Sequence, residues 1–173
     1  MNDQASPGLS TFEERLKAGR FVMTAEIAPP VSSDAQDLRS KAAPLKGLAD
    51  AVNVTDGAGA RAHMAALAAA SILIGMGIEP ILQITCRDKN RIALQSEMMG
   101  AAALGVRNLL LLTGDDPKAG DQPDTKPVFD VNSSTLIETA RRLRDEGTLP
   151  TGRKVSGKAS VLVTAQLQSI IAS

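Results

Sequence analysis

Four consecutive leucines, Leu109-Leu110-Leu111-Leu112, run directly into Thr113-Gly114-Asp115-Asp116-Pro117. A short, unbroken apolar run bounded by turn residues reads as a strand buried on both faces, which is the mark of a parallel sheet. Carboxylates just beyond such a strand lie at the sheet rim, where open α/β sheets and β/α barrels hold their ligands. Two earlier segments share the design: Thr24-Ala25-Glu26-Ile27-Ala28-Pro29-Pro30 and Val52-Asn53-Val54-Thr55-Asp56-Gly57-Ala58-Gly59. Three polar strand ends imply one shared site.

The rest of the chain alternates in the same rhythm. Ser10 with Glu13 makes a capping box for a helix over 11–18, stopped by Gly19. Strands are expected over 21–27, 51–55, 80–85, 107–112 and 159–164. Between them, Ser33 with Gln36 opens a helix bent near Pro44, and 61–76 forms a helix so apolar that most of its circumference must be covered. A helix over 90–104 ends at Gly105, and Asn132 caps a last helix that runs to Glu146 before Gly147. Residues 113–131 have no apolar period and read as a long rim loop, and 148–157 read as a linker. The pattern α(βα)₄β requires a parallel sheet with right-handed crossovers. A complete eight-fold barrel needs about 250 residues, so 173 residues offer either a small open sheet or part of a barrel.

Composition narrows the function classes. Lys+Arg and Asp+Glu both total 19, which leaves no net field to recruit nucleic acid or an anionic membrane. Aromatics are 2% of residues, too few for a base-stacking surface. Cys86 is the only cysteine, so an internal disulfide and a cysteine metal site are excluded, and a reducing cytoplasm is the expected compartment. No metal site is expected. The polar amino terminus lacks signal-peptide character, and the apolar stretch 64–78 is too short to span a membrane.

Taken in order, Ala25-Glu26-Ile27-Ala28-Pro29-Pro30, Val52-Asn53-Val54-Thr55-Asp56-Gly57, Gln83-Ile84-Thr85-Cys86 and Leu111-Leu112-Thr113-Gly114-Asp115-Asp116-Pro117 resemble the motifs of the methylenetetrahydrofolate reductase family. The resemblance extends through Pro127-Val128-Phe129-Asp130-Val131 and covers roughly 12–147. It implies a flavin-dependent β/α (TIM) barrel enzyme of one-carbon metabolism and methionine biosynthesis. FAD at the barrel mouth would pass a hydride to 5,10-methylenetetrahydrofolate, giving 5-methyltetrahydrofolate, with NADH or NADPH as possible electron donor.

The resemblance assigns Glu26 as the general acid that protonates the folate nitrogen. Such an acid must hold its proton near neutral pH, and Ala25, Ile27, Ala28 and the paired prolines are expected to help by excluding water. The alternative is a strand-end carboxylate paired with a lysine or arginine. Asp115 is implied to sit near the pyrimidine edge of the flavin, where its charge would favour hydride donation, with Gly114 letting backbone approach the ring. Gly-Asp-Asp-Pro is also good turn chemistry by itself, and Asp116 fits that role better than Asp115. Thr55 fits a flavin-contacting hydroxyl or, equally, a hydroxyl capping the following turn. Gln83 stands where many family members carry histidine, and Thr113 where many carry arginine. Both are carried over as cofactor-binding positions.

Other features have plainer readings. Asp56-Gly57-Ala58-Gly59 lacks the G-x-G-x-x-G spacing of a dinucleotide fingerprint. His63, the only histidine, is expected in the first helical turn beside Arg61 as a surface or capping residue. Cys86 is expected to pack, and Arg141-Arg142-Leu143-Arg144-Asp145-Glu146 to form a solvated last turn.

Residues 1–173 are expected to form a single partial barrel domain of about four βα units plus one strand, with 148–173 as linker and an atypical tail. That tail departs from the family pattern, as a truncation or frameshift would produce. Half a barrel exposes strand edges and an apolar inner face, so a homo-oligomer or a completing partner chain is expected. The competing reading is a catalytically inactive half-barrel that serves as an interaction module or is a non-functional product. A weaker third is an open-sheet protein binding another phosphate-bearing ligand.

Overall fold

The computed structural model describes residues 11–157, 159 and 161–165. The expected capping residue Ser10 and the tail from Gln166 lie outside the described residues. Five strands, β1 (Thr24–Ile27), β2 (Ala51–Val54), β3 (Pro80–Thr85), β4 (Asn108–Leu112) and β5 (Leu162–Ala165), form one parallel sheet in the order β1-β2-β3-β4-β5. Helices α1 (Thr11–Lys17), α2 (Ala35–Ala42), α3 (Ala66–Gly75), α4 (Arg91–Ala103) and α5 (Ser133–Asp145) precede or connect them. The expected α(βα)₄β order stands. Because each strand neighbours the next in sequence, crossovers of one hand place their helices on one face of the sheet. A doubly wound sheet would instead reverse its strand order at a switch point.

The helix-covered face holds the main core. Leu38, Leu73, Leu82, Ile84, Leu94, Leu109, Leu111 and Leu136 are each fully buried there. The opposite face carries the alternate residues of every strand. Its lower end is plugged by Phe12 of α1, which packs with Ala51 and Ile81. Glu79 fastens that plug, accepting from the Phe12 backbone N–H at 3.2 Å and from the Asn108 amide at 2.8 Å. With the lower end closed, the carboxyl ends of the strands are left as the open end.

The leucine run differs from its expected burial. Leu109 and Leu111 are buried under helices, whereas Leu110 and Leu112 on the other face are only half-buried. Alternation directs odd and even residues to opposite sides, and the connecting helices α2–α5 cover only one of them, α1 plugging just the lower end of the other.

Helix ends follow their capping chemistry. Asn90 accepts from the backbone N–H groups of Ile92 and Ala93, Asn132 accepts from that of Thr135, and α2 is capped by Asp34 rather than Ser33. Pro44 stands in a 3-10 turn over Ala43–Leu45 that follows α2.

β5 covers Leu162–Ala165 rather than 159–164, and β1 and α3 are also shorter than expected. β1 starts at Thr24, because Met23 is held through its backbone N–H by the Asp50 carboxylate (2.8 Å) and Phe21 projects into solvent. α3 starts at Ala66 rather than Arg61. Gly57 and Ala60 take left-handed backbone around a 3-10 turn, and the Met64 N–H donates to the Pro30 carbonyl at 2.9 Å instead of entering a helix. His63 therefore lies in the segment before the helix, with Nδ1 3.0 Å from the Arg61 carbonyl oxygen. Within residues 148–157, the antiparallel bridge Thr148–Lys154 folds the segment into a compact turn.

Candidate functional site

The open strand ends enclose a cavity of about 850 Å³ lined by Glu26, Asn53, Thr55, Gln83, Arg87 and Asp115, among others. Its size falls in the range of pockets that bind substrates and cofactors. Strand alternation builds it. Glu26 and Asn53 are register partners on β1 and β2, and one step further along the sheet Gln83 pairs with Leu110 and Leu110 with Thr164. The expected residues Glu26, Thr55, Gln83, Thr113, Gly114 and Asp115 all line this one cavity.

Glu26 is exposed, with Oε2 accepting from the Asn53 amide Nδ2 at 3.1 Å. Among the described residues no lysine or arginine pairs with it. The expected exclusion of water by its sequence neighbours does not occur. Ala25 and Ile27 point to the opposite face and pack into the helix-covered core, so adjacency along a strand does not put them beside the carboxylate.

Thr55 and Asn53 present the clearest unmet chemistry. The Thr55 side chain is 6% exposed, and its Oγ1 finds no partner among the described residues; Asn53 Oδ1 is likewise buried and unpartnered. Thr55 therefore does not cap the following turn. Buried polar atoms without partners are costly, and both residues line this cavity. Gln83 is also buried and brings an amide that can donate and accept.

At the β4 end the two aspartates separate in role. Asp116 accepts from the Lys118 N–H at 2.9 Å and starts the 3-10 turn Pro117–Ala119. Asp115 reaches across the cavity mouth instead, its Oδ2 accepting from the Gly59 N–H at 3.1 Å. Gly114 has φ +100°, and a Cβ there would lie 3.0 Å from Arg87 Cβ and 3.2 Å from Thr85 Cβ. The glycine is thus required by the packing of β4 on β3. Thr113 is committed to the start of α5: its hydroxyl donates to Ser133 Oγ at 3.2 Å and accepts from the Ser133 N–H at 3.4 Å.

Charged residues that the motifs did not single out support the rim. Asp56 accepts from the Thr85 N–H (2.9 Å), the Thr85 hydroxyl (3.0 Å) and the Lys89 ammonium (2.9 Å), and Lys89 also reaches Glu97 at 2.7 Å. Arg87 is buried at the end of β3 and grips Asp88 through two nitrogens. Cys86 packs in the core, where burial pushes its thiol up against the opposing pull of Lys89. The basic run near the end of α5 pairs within itself, Arg144 with Asp145 and Arg142 with Glu146. No group of three or more metal-ligating side chains occurs among the described residues, and none of the described helices is long and apolar enough to cross a membrane.

The Asp56–Lys89–Glu97 cluster has a pH signature. Burial opposes the Lys89 charge, but Asp56 and Glu97 more than offset it and hold the ammonium above its ordinary value of 10.5. Burial likewise lifts the Glu97 carboxyl, against the pull of Lys89. A base raised in the fold contributes stability that is complete below its unfolded value and is lost as pH climbs through the folded one. Unfolding temperatures are therefore expected to drop as pH rises past 10.5, and Lys89→Met should flatten that drop. An alkaline limb unchanged by the substitution would show that Lys89 does not govern it.

In direct comparison with curated proteins the chain has no match. The family model described as methylenetetrahydrofolate reductase matches residues 11–148, spanning all of the strand ends described above except that of β5. The chain therefore belongs to the methylenetetrahydrofolate reductase family, β/α-barrel proteins associated with the reduction of folate-borne one-carbon units.

Proposed function

We propose that this chain carries the flavin-dependent half-site of a methylenetetrahydrofolate reductase, built on a single partial-barrel domain whose open face lies against a second copy or a completing partner chain. The observation that carries the reading is the buried, unpartnered Thr55 hydroxyl, beside Gln83, in a cavity that also holds Glu26 and Asp115.

These residues fit a flavin. Its pyrimidine edge alternates donors and acceptors, which the Gln83 amide and the Thr55 hydroxyl can both answer. Asp115, aimed by the Gly59 N–H, would place negative charge beside that edge. Bound flavin would supply the hydride, with NADH or NADPH as its source.

The chain's own part is proton delivery and orientation. Glu26 donates its carboxyl proton to the folate nitrogen whose bond to the methylene carbon breaks. Asn53 fixes the Glu26 carboxylate through Oε2 and so sets the direction from which the proton arrives. The exposure of Glu26 and the openness of its cavity favour a second reading, an inactive half-barrel that keeps the site without a dry pocket.

Purified chain mixed with FAD, freed of excess and scanned in the visible distinguishes them. A stoichiometric, protein-shifted flavin spectrum is expected, with Thr55→Val weakening FAD affinity by about three- to tenfold through loss of one hydrogen bond. Folded protein that retains no flavin would reject the enzymatic reading.

A further inference from the structure

We propose that Arg87 is the positioning residue that aims the Asp115 carboxylate, by pinning the glycine-rich loop after β2 against the ends of β3 and β4. The inference rests on the functional reading above only for the importance of Asp115. Its geometry stands apart.

Arg87 is 4% exposed, yet its guanidinium lies at the junction of three segments. Nε and Nη2 donate to the Asp88 carboxylate at 2.8 and 2.7 Å, which locks the plane of the fork. That leaves Nη1 free to donate to the Gly57 carbonyl at 3.2 Å. Gly57 has φ +60°, and a Cβ there would collide with Nη2, so the loop backbone lies directly on the guanidinium. Two residues on, the Gly59 N–H holds Asp115 Oδ2.

The other side of Arg87 meets β4, where Gly114 packs on its Cβ. Its own carbonyl accepts the Val128 N–H at 2.7 Å and so ties down the long rim loop as well. Asp56 and Asp115 both add to the attraction that keeps the guanidinium charged, behind the larger contribution of Asp88. One side chain therefore sets the spacing between the Gly59 donor and the Asp115 acceptor.

Lysine could not substitute here. A single ammonium on a flexible stem cannot hold a planar fork on Asp88 and also reach the Gly57 carbonyl.

The test is amide hydrogen exchange at Gly59 in the full chain without cofactor, for Arg87→Gln and Arg87→Lys. Lysine keeps the charge and an unbranched stem, so that variant is expected to retain the fold. Gly59 is expected to exchange about three- to tenfold faster in both, the loss of one hydrogen bond, with β2–β4 amides unchanged. With FAD and folate present, Arg87→Gln should lower turnover by up to about 10²-fold. In an Asp115→Asn background the same change should add little, because both act through one contact.

Native-like Gly59 protection in either folded variant would overturn the proposal, as would full additivity with Asp115→Asn. Failure of the parent chain to bind FAD would count against the functional reading alone, because the exchange result needs no flavin.

Discussion

Glu26→Gln is expected to abolish folate reduction while leaving the flavin in place. Glutamine keeps the shape of the side chain and can still accept from the Asn53 amide, so the hydrogen bond at 3.1 Å survives. What it loses is the transferable proton. General acid catalysis by a positioned carboxyl contributes about 10²–10⁴-fold, and that is the loss expected in turnover to methyltetrahydrofolate. Reduction of bound flavin by the electron donor should not change, because the proton transfer proposed for Glu26 belongs to the folate half-reaction. Rapid-mixing measurements of the two half-reactions separate these effects. Retained transfer to folate in the variant would remove Glu26 from the mechanism. Loss of both half-reactions would mean that the substitution had damaged the site rather than the chemistry.

Glu26 also marks how far the sequence could be read. The motifs placed Glu26, Thr55, Gln83 and Asp115 at strand ends, and parallel pairing in sequential order brings all four to one cavity. Strand existence was legible because apolar runs and capping residues are local signals. The surroundings of Glu26 were not. Its sequence neighbours point to the opposite face, and what lies beside it is Asn53 from the next strand. The alternation of Val52-Asn53-Val54-Thr55 did contain that signal, since two polar residues share the face opposite two buried valines.

Arg87 and Lys89 were illegible for a different reason. Both lie in Arg87-Asp88-Lys89-Asn90, which resembles any polar turn between a strand and a helix, and their partners Gly57 and Asp56 come from the loop after β2, which only tertiary folding brings near. The late start of α3 has the same origin, since the Pro30 carbonyl that captures Met64 is distant in sequence.

A pair of leucine substitutions reports on the face that the helices leave uncovered. Leu109 is fully buried beneath the helices, and Leu109→Ala is expected to cost about 2–5 kcal/mol by losing transfer energy and leaving a cavity. Its neighbour Leu110 lines the cavity on the opposite face and is half-buried, so Leu110→Ala removes less area from a side that can relax. Its cost should be about half or less on the scale of apolar area removed from water. Chemical unfolding of both variants at low protein concentration gives the comparison directly. A Leu110 penalty that grows with protein concentration would assign the cover to a second copy of the chain, because only association makes stability concentration-dependent. A large penalty at every concentration would mean that the inner face is packed within one chain, and the open sheet would then be the wrong description of the protein in solution. Equal and small penalties for both leucines would contradict the core itself, since no fully buried leucine beneath the helices can be truncated without leaving a void.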